Sequence, residues 1–450
     1  MILACDLGTS YLKSALIDLS GRRCFFTNIL LKRPEPRLWL KAFKCLCAGI
    51  SPRLKKDILA LSLCAHGPSL VPVSSSGQAL YRIIFWKESL KAKNREGLKS
   101  FFLAGIKDFF RQNPALKAKT AFLLAPAEYL AFILTGEKAT SVPHADYIPY
   151  YWERAELNTL GLDPALFPAF IFCHQPVGEV SRKAGLEFGI APGLKVFCGG
   201  PDFLMALLGT GTITPGLVND RGGSSEAFNT CSTRPQSQPG LRCLPSFKQG
   251  LYNLSSLIPE AGSVLSLLKN WLWGRRTAWE DFNKQILTSL GPAIGVFYPV
   301  KELKQGRLTR ASLLHSFYGR SRFYPDRADM VKAFFEYLAY CLKHYLDELD
   351  MLKLSYKEIR VCGGLAKNPL LCQIKADISG KPVILYNNNP EAELFGLALI
   401  AWHGLGLINS YEEALLDWLK PGKVYCPQAS YANLYAERYR LYRNRIEEER

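Results

Sequence analysis

The sequence predicts an α/β protein built from two similar halves, and three observations support that expectation. The chain has 450 residues, more than one hydrophobic core ordinarily serves, so two or three domains are expected. Segments typical of strands alternate with segments typical of helices. Two predicted hairpins, one in each half, have tips with an acidic residue, glycine and hydroxyl side chains. A duplicated domain plan would explain this, although chance similarity of two ordinary turns is the alternative.

The composition is that of a globular chain. Hydrophobic residues make up 48% and charged residues 21%, which excludes disorder and fibrous repeats. The net charge of +17 favours anionic partners, but the positive side chains are scattered, so an ordinary Lys-rich surface is expected and nucleic acid is not. The 13 cysteines lack zinc-site spacing, which indicates reduced core residues in a cytoplasmic protein. We expect neither a signal peptide nor a membrane-spanning segment.

The first half begins with the first predicted hairpin. Its strands cover 1–5 and 12–19, and a tight turn at 6–10 joins them. Further strands are expected at 58–64, 71–73, 83–86 and 194–198, and helices are expected over 90–134 and at 203–208.

The second half opens with the second predicted hairpin, at 217–231, and its polar tip. We expect the boundary between halves just after this hairpin, with domains at 1–226 and 227–450. Helices are expected at 328–349, 368–378 and 391–404, and strands at 358–362 and 383–386.

The first hairpin tip has the chemistry of a phosphate site. A turn that contains glycine can direct several backbone N–H groups at one anion. Thr9 and Ser10 add hydroxyl donors, and Lys13 adds a positive charge. Asp6 ends an apolar strand, where its carboxylate could hold Mg²⁺ through water. The alternative is that Asp6 only caps the turn.

Asp202 follows two glycines and a proline at the predicted start of a helix. The helix dipole favours a carboxylate there, and such a group can accept a proton from a bound alcohol. The alternative is a simple N-cap. Later, Gly363 and Gly364 precede a helix that opens at Asn368, so an adenosine could lie close to the backbone, or the segment could be a plain turn.

Three residues near predicted strand ends are candidates for a sugar site. His66 could bind substrate hydroxyls or be an ordinary loop histidine, while Trp86 and Glu88 could stack on and hydrogen-bond a sugar. The sequence has no Walker A motif, so a P-loop kinase is disfavoured.

The order of these motifs resembles the FGGY carbohydrate kinases, within the actin-like ATPase superfamily. The resemblance covers most of the chain, from Met1 to about Gly406, and is greatest for xylulokinase-type members. The motifs that carry it are Asp6-Leu7-Gly8-Thr9-Ser10-x-x-Lys13, Gly199-Gly200-Pro201-Asp202, Gly222-Gly223-Ser224-Ser225, and Cys362-Gly363-Gly364-Leu365-Ala366-Lys367-Asn368-Pro369, followed by the block from Gln373 to Val383.

This resemblance implies two actin-like (ribonuclease H-like) domains with a cleft between them. It also implies phosphorylation of a small sugar or polyol, such as a xylulose-like ketose, with ATP and Mg²⁺. Asp202 would be the catalytic base and Asp6 would help to hold Mg²⁺. The remaining matched positions would bind ATP: Thr9, Ser10, Lys13, Gly222, Gly223, Ser224 and Ser225 at the phosphates, and Gly363, Gly364 and Asn368 at the adenosine.

The departures from the family lie mainly on the sugar side. The usual Gly-Gln-Met-His-Gly stretch is Leu63-Cys64-Ala65-His66-Gly67, and Leu90 stands where an arginine is usual. A catalytically weak or inactive sugar- or nucleotide-binding regulator on the same fold is therefore the alternative function. A homodimer is left open.

Overall fold

The computed structural model describes residues 1–85, 97–287, 291–304, 306–318, 326–387 and 390–448. The chain forms two structural units, and neither is one continuous stretch. Unit 1 consists of Met1–Gly211, Pro245–Gly250 and Ala392–Leu419. Unit 2 consists of Thr212–Leu244, Leu251–Glu391 and Lys420–Arg450.

Strands and helices alternate along the described residues. The strands, numbered β1 to β19 in chain order, are Ile2–Leu7, Tyr11–Ile17, Arg23–Leu30, Ala60–Ala65, Val71–Val73, Phe122–Leu124, Thr140–Val142, Phe170–Phe172, Gly178–Glu179, Lys195–Pro201, Leu217–Gly222, Glu226–Ser232, Arg242–Pro245, Tyr252–Ile258, Val296–Phe297, Phe317–Tyr318, Glu358–Gly363, Val383–Tyr386 and Pro421–Tyr425. The α-helices, numbered α1 to α18, are Pro36–Gly49, Pro52–Lys56, Leu103–Gln112, Pro114–Lys119, Pro126–Thr135, Ile148–Tyr151, Arg154–Leu160, Arg182–Phe188, Asp202–Gly209, Ala261–Leu272, Trp279–Leu287, Lys301–Lys304, Arg310–Leu314, Arg327–Met351, Pro369–Ser379, Ala392–Gly404, Tyr411–Trp418 and Ala432–Glu448.

Unit 1 is built on a six-stranded mixed sheet with the order β3-β2-β1-β4-β10-β9. The first three strands in chain order form an antiparallel meander. Strands β1, β4 and β10 are parallel neighbours, so their carboxyl ends lie at one edge of the sheet. Helices cover this sheet because its central strands are apolar on both faces, and β1 and β4 are buried along their whole length.

Unit 2 repeats this plan in a seven-stranded sheet with the order β13-β14-β12-β11-β17-β18-β19. The hairpin β11–β12 corresponds to β1–β2, and β14 extends it antiparallel as β3 does. Strands β11, β17 and β18 are parallel, like β1, β4 and β10. The predicted α/β class and the duplicated plan are therefore confirmed in the strand order and direction of each sheet.

Helix α16 belongs to unit 1 although it lies late in the chain. It is buried on all sides, as its almost wholly apolar sequence predicts. A side chain at Gly396 would collide with the backbone of Met205 in α9, and one at Gly209 would collide with the backbone of Ala392. These close contacts hold α16 against α9 within unit 1. We expected a single domain boundary after residue 226. The structure instead divides the chain into two discontinuous units, and the whole hairpin β11–β12 lies in unit 2.

The predicted elements next to the glycine motifs agree with the structure to within a few residues. Of the strand expected at 83–86, the described residues 83–85 contribute one bridge, between Leu70 and Ile84, and residue 86 lies outside the described residues. The helical stretch expected over 90–134 is interrupted by strand β6. No helix in the described part of the chain combines the length and the apolar character needed to cross a membrane.

Candidate active site

The carboxyl edge of the unit 1 sheet brings together three of the predicted motifs. Leu7 of β1 and Pro201 of β10 both lie beside Ala65 of β4 in the strand register. The segments that follow these strands carry the first hairpin tip, His66 and Asp202. Parallel strands place such segments at the same edge, where open α/β sheets commonly bind ligands.

The first hairpin tip is a tight turn closed by its own backbone. The N–H of Gly8 donates to the carbonyl of Tyr11 at 3.0 Å. A Cβ at Gly8 would lie 3.0 Å from the same oxygen, so the close approach favours glycine. Ser10 is exposed and Thr9 is partly exposed, so both hydroxyl groups lie near solvent at the sheet edge.

Asp6 and Lys13 face each other across the first hairpin. They are register partners in β1 and β2, and Lys13 Nζ lies 3.6 Å from Asp6 Oδ2. The thiol of Cys64 donates to Asp6 Oδ1 at 3.6 Å. The side chain of Asp6 is 4% exposed and that of Lys13 is 27% exposed. The carboxylate is thus held inside the sheet edge while its cationic partner reaches solvent.

Asp202 is the first residue of α9 and is partly exposed. The N-cap position belongs to Pro201, which has no side-chain acceptor, so the alternative that Asp202 is the N-cap does not apply. Gly200 has φ of 75°, a left-handed conformation that favours glycine. Gly200 lies in the irregular end of β10, where the register with β4 shifts between Cys198 and Pro201, and Asp202 follows this strand at the positive end of the helix dipole.

A buried network that the sequence did not suggest supports the end of β10. The hydroxyl of Ser141 donates to the carbonyl of Cys198 at 2.5 Å. The carboxylate of Glu128 accepts from the backbone N–H groups of Ala125 and Ser141, both at 2.9 Å. Burial raises the pKa of Glu128 to about 7, against the lowering effect of these two hydrogen bonds. The only sequence signal for this network is a glutamate three residues after the N-cap of a helix.

His66 is almost completely buried behind the same edge. Its Nδ1 lies 3.1 Å from the hydroxyl of Ser69, and its ring lies edge-on to Trp39 and Phe85. Burial lowers the pKa of His66 to about 4, so the ring is neutral near pH 7. Its Nε2 makes no hydrogen bond within the described structure. Trp86 and Glu88, the other sugar-site candidates, lie outside the described residues.

The second hairpin tip, at the end of β11 in unit 2, is anchored by the start of α10. The Gly223 N–H donates to the Ser225 carbonyl at 2.7 Å. The carbonyl of Ser224 accepts from the N–H groups of Gly262 and Ser263 at 3.0 and 3.3 Å. Gly223 and Ser224 are exposed. The tip therefore has a fixed backbone and a solvent-facing surface.

Two glycines next to this tip are explained by close backbone packing. Gly363 has φ of 82°, and a side chain there would collide with the backbone of Gly222, its register partner. A side chain at Gly222 would meet Leu365. Gly364, in contrast, is exposed and has only ordinary contacts, so its lack of a side chain leaves an open backbone surface.

Asn368 is the N-cap of α15. Its Oδ1 accepts from the Leu371 N–H at 3.0 Å, and its Nδ2 donates to Asn283 Oδ1 at 2.8 Å. The residue is buried. Both ends of the side-chain amide are thus engaged inside unit 2.

Comparison with known proteins finds similarity to carbohydrate kinases. Residues 223–405 match the FGGY family of carbohydrate kinases, C-terminal domain. The xylulose kinase of Staphylococcus xylosus is 23% identical, over 98% of this chain and 99% of its own length. The L-fuculokinase of Escherichia coli K12 is 24% identical, over 92% of this chain and 94% of its own. A ligand-bound xylulose kinase structure from Lactobacillus acidophilus superposes with a TM-score of 0.79 at 19% identity, covering 98% and 97% of the two chains.

Residues 223–405 carry the similarity to the FGGY carbohydrate kinases that the sequence motifs indicated. The superposition covers nearly the full length of the chain, and the expected class of two actin-like α/β domains is confirmed. The predicted enzyme class agrees with the names of these relatives, which are those of sugar kinases.

Proposed function

We propose that the chain transfers the γ-phosphoryl group of ATP to a hydroxyl of a small sugar or polyol, with a xylulose-like ketose as the best candidate. Asp202 is the general base in this proposal. The observation that supports it best is the meeting of the first hairpin tip, Asp6 and Asp202 at the carboxyl edge of one sheet. The match of residues 223–405 to the C-terminal domain of the FGGY carbohydrate kinases supports the reaction class independently.

Asp202 suits the role of base by position and exposure. It lies at the start of α9, where the helix dipole stabilises its negative charge, and solvent-accessible substrate hydroxyls can reach it. Accepting the hydroxyl proton as the oxygen attacks phosphorus is the task of a carboxylate in phosphoryl transfer. Glu128 and Ser141 hold the strand that leads to it, which limits movement of the base.

The position of Asp6 suits a carboxylate that would hold Mg²⁺ through water. One of its oxygens faces Lys13 and the other faces Cys64, so the group is already oriented within the sheet edge. Among the described residues, no cluster of three or more histidine, cysteine or acidic side chains has metal-site geometry. The ion would therefore depend on water and phosphate oxygens, as Mg²⁺ often does. Mg²⁺ would neutralise charge on the transferring phosphoryl group.

Each unit has its own candidate residues for nucleotide binding. Thr9, Ser10 and Lys13 supply donors and positive charge at the first tip, and residues 222–225 supply backbone donors at the second. Gly364 offers an exposed backbone surface for adenosine, flanked by Gly363. Asn368 would act chiefly by fixing the start of α15, because its own amide is occupied by Leu371 and Asn283.

The acceptor is a sugar or polyol whose identity the relatives leave open. Relatives at nearly equal identity are named xylulose kinase and L-fuculokinase, so a ketose is proposed only as the first compound to try. His66 would contribute through its neutral ring and its free Nε2, while Trp86 and Glu88 stay predictions. A homodimer and a cytoplasmic location also stay predictions.

The test is a coupled ADP-release assay with ATP and Mg²⁺ against ketoses, aldoses and polyols. The proposal predicts ADP release that depends on one acceptor class, greatest for a ketopentose. If the chain binds nucleotide but no compound in the panel causes ADP release, the proposal is contradicted. That result would favour the non-catalytic regulator, which the sequence left as the alternative.

A further inference from the structure

Three charged side chains lie buried beneath the second hairpin tip in unit 2. They are Asp220 of β11, Glu226 of β12 and Lys375 of α15, and each is at most 3% exposed. Removing a charge from water costs several kcal/mol even after relaxation. A cluster of this kind persists only where its members satisfy one another, so its location next to the tip calls for a physical role.

Lys375 joins the two strands of the hairpin. Its Nζ lies 2.5 Å from Asp220 Oδ2 and also donates to Glu226 Oε1. Asp220 precedes Gly222 by two residues, and Glu226 directly follows the tip and is the register partner of Gly222. One ammonium group from a helix thus holds both strands within two residues of the tip.

The cluster has two acidic groups for one basic group. Asp220 Oδ1 and Glu226 Oε2 have no hydrogen-bond partner within the described structure. Among the described residues, the uncharged titratable side chains around the cluster are Tyr337 and Cys341 of α14, Cys362 of β17 and Cys372 of α15, and the cation Lys423 of β19 acts on Cys372.

Protonation of Glu226 resolves this excess charge. Burial raises the pKa of Glu226 to about 8, Lys375 opposes the rise and Asp220 adds to it. Burial lowers the pKa of Lys375, but Asp220 and Glu226 outweigh burial, and the pKa is raised above its ordinary value. Near pH 7 the cluster is therefore neutral, with a protonated Glu226 beside a Lys375–Asp220 ion pair.

We propose that Lys375 is a positioning residue for the second hairpin tip, and that the net charge of its cluster with Asp220 and Glu226 sets the affinity of the tip for nucleotide phosphates. This inference rests on the proposed function, because it requires phosphates to bind at residues 222–225. Lys375 acts through the backbone of the tip and does not itself touch the nucleotide.

The proposal has a defined dependence on pH. As pH rises through about 8, Glu226 loses its proton and a net negative charge appears directly beneath the tip. That charge repels phosphate through a poorly screened interior, so nucleotide affinity should fall about tenfold between pH 7 and pH 9.5. Glu226→Gln keeps the acceptor for Lys375 but cannot ionise, so its affinity should stay level over this range.

The experiment is calorimetric titration of the full chain with ADP between pH 6.5 and 9.5. The variants are Glu226→Gln, Lys375→Met and the matched control Lys332→Met. Lys332 is an equally buried lysine of unit 2, and its partners, Asp329 and the Gly291 carbonyl, lie outside the hairpin. We expect the native pH dependence in Lys332→Met, a level profile in Glu226→Gln, and about tenfold weaker binding at pH 7 in Lys375→Met.

Each outcome bears on one claim. If Glu226→Gln retains the native decline with pH, or if Lys375→Met binds ADP as the native chain does, the inference is wrong while the proposed function stands. If the native chain binds no ADP at any pH, the proposed nucleotide site is wrong, and the inference that depends on it is wrong as well. If Lys375→Met does not fold, Glu226→Gln alone decides.

Discussion

The two hairpin tips look alike in sequence and differ in how their acidic residues are used. In unit 1, Asp6 pairs across the hairpin with Lys13, which remains about a quarter exposed at 27%. In unit 2, Asp220 pairs with Lys375, which comes from a helix and is buried together with both of its carboxylate partners. One tip thus has its charged pair beside solvent, and the other has it sealed beneath the backbone.

The difference shows that a repeated fold does not repeat its chemistry. Both hairpins have an acid two residues before a glycine of the turn, and both lie beside a parallel strand. In the first, Lys13 is partly exposed, so we propose that its charge is available to ligands. In the second, the buried charges hold the two strands of the hairpin, and we propose that backbone N–H groups bind anions. The following predictions test this contrast in order of decreasing expected effect.

Of these variants, Asp202→Asn should have the largest effect, and that effect should be confined to turnover. Removing a general base lowers kcat by about 10²- to 10⁴-fold, while ADP affinity should remain within about twofold. ADP release at saturating acceptor measures the first quantity, and calorimetry measures the second. Asp163→Asn is the control, because Asp163 only caps a short helical turn in unit 1 and Asn preserves that cap. Native turnover in Asp202→Asn would remove Asp202 from the mechanism.

Lys375→Met and Lys13→Met should separate the two tips by stability. Lys375→Met leaves the buried Asp220 carboxylate without its cation and Glu226 without its donor, and should lower the free energy of unfolding by about 3–5 kcal/mol. Lys13→Met breaks a partly exposed pair and should lower it by about 1 kcal/mol or less. Urea unfolding curves give both values. Equal losses in the two variants would contradict the distinction between a structural and a functional charge pair.

Stability should depend on pH through Glu226. Its folded-state pKa is raised from 4.5 to about 8, so between these values the folded chain holds a proton that the unfolded chain has lost. The native free energy of unfolding should therefore fall, relative to that of Glu226→Gln, by about 1.4 kcal/mol per pH unit over this range and level off above pH 8. Parallel stability curves for the two proteins would show that Glu226 is not the group that takes up the proton.

Asn368 should show the smallest effect. Asn368→Ala loses the N-cap of α15 and should cost about 1 kcal/mol of stability, whereas Asn368→Ser keeps a capping oxygen and should cost less. If Asn368 acts only by position, ADP affinity should fall in the alanine variant and recover in the serine variant. A loss of affinity in both would indicate direct contact with the nucleotide.

Much of the fold could be predicted because local patterns agreed with the tertiary structure. The glycine turns at Gly8 and Gly200, the apolar strands and the long helix α14 carry strong local signals, and the structure has them near the expected positions. The return of α16 to unit 1 was not predictable, since it depends on close packing of Gly396 and Gly209 between helices distant in sequence.

The candidate site could be proposed from sequence where a motif carries its own chemistry, and not where partners meet in space. Asp6, Lys13 and Asp202 could be proposed as site residues from their order along the chain, and these roles stay predictions. The support of β10 by Glu128 and Ser141, and the clamp of the second tip by Lys375, depend on contacts between elements far apart in sequence. The roles of Gly222 and Gly363 also became specific only when their backbones were seen to touch.

The most direct test of the central claim is mass-spectrometric detection of the phosphorylated acceptor. Native protein with ATP, Mg²⁺ and a ketopentose, or the best acceptor from the panel, should form sugar phosphate in equal amount to ADP. Asp202→Asn at the same concentration and time should form at least about 100-fold less. ADP formed equally without acceptor, or sugar phosphate formed equally by Asp202→Asn, would contradict the account.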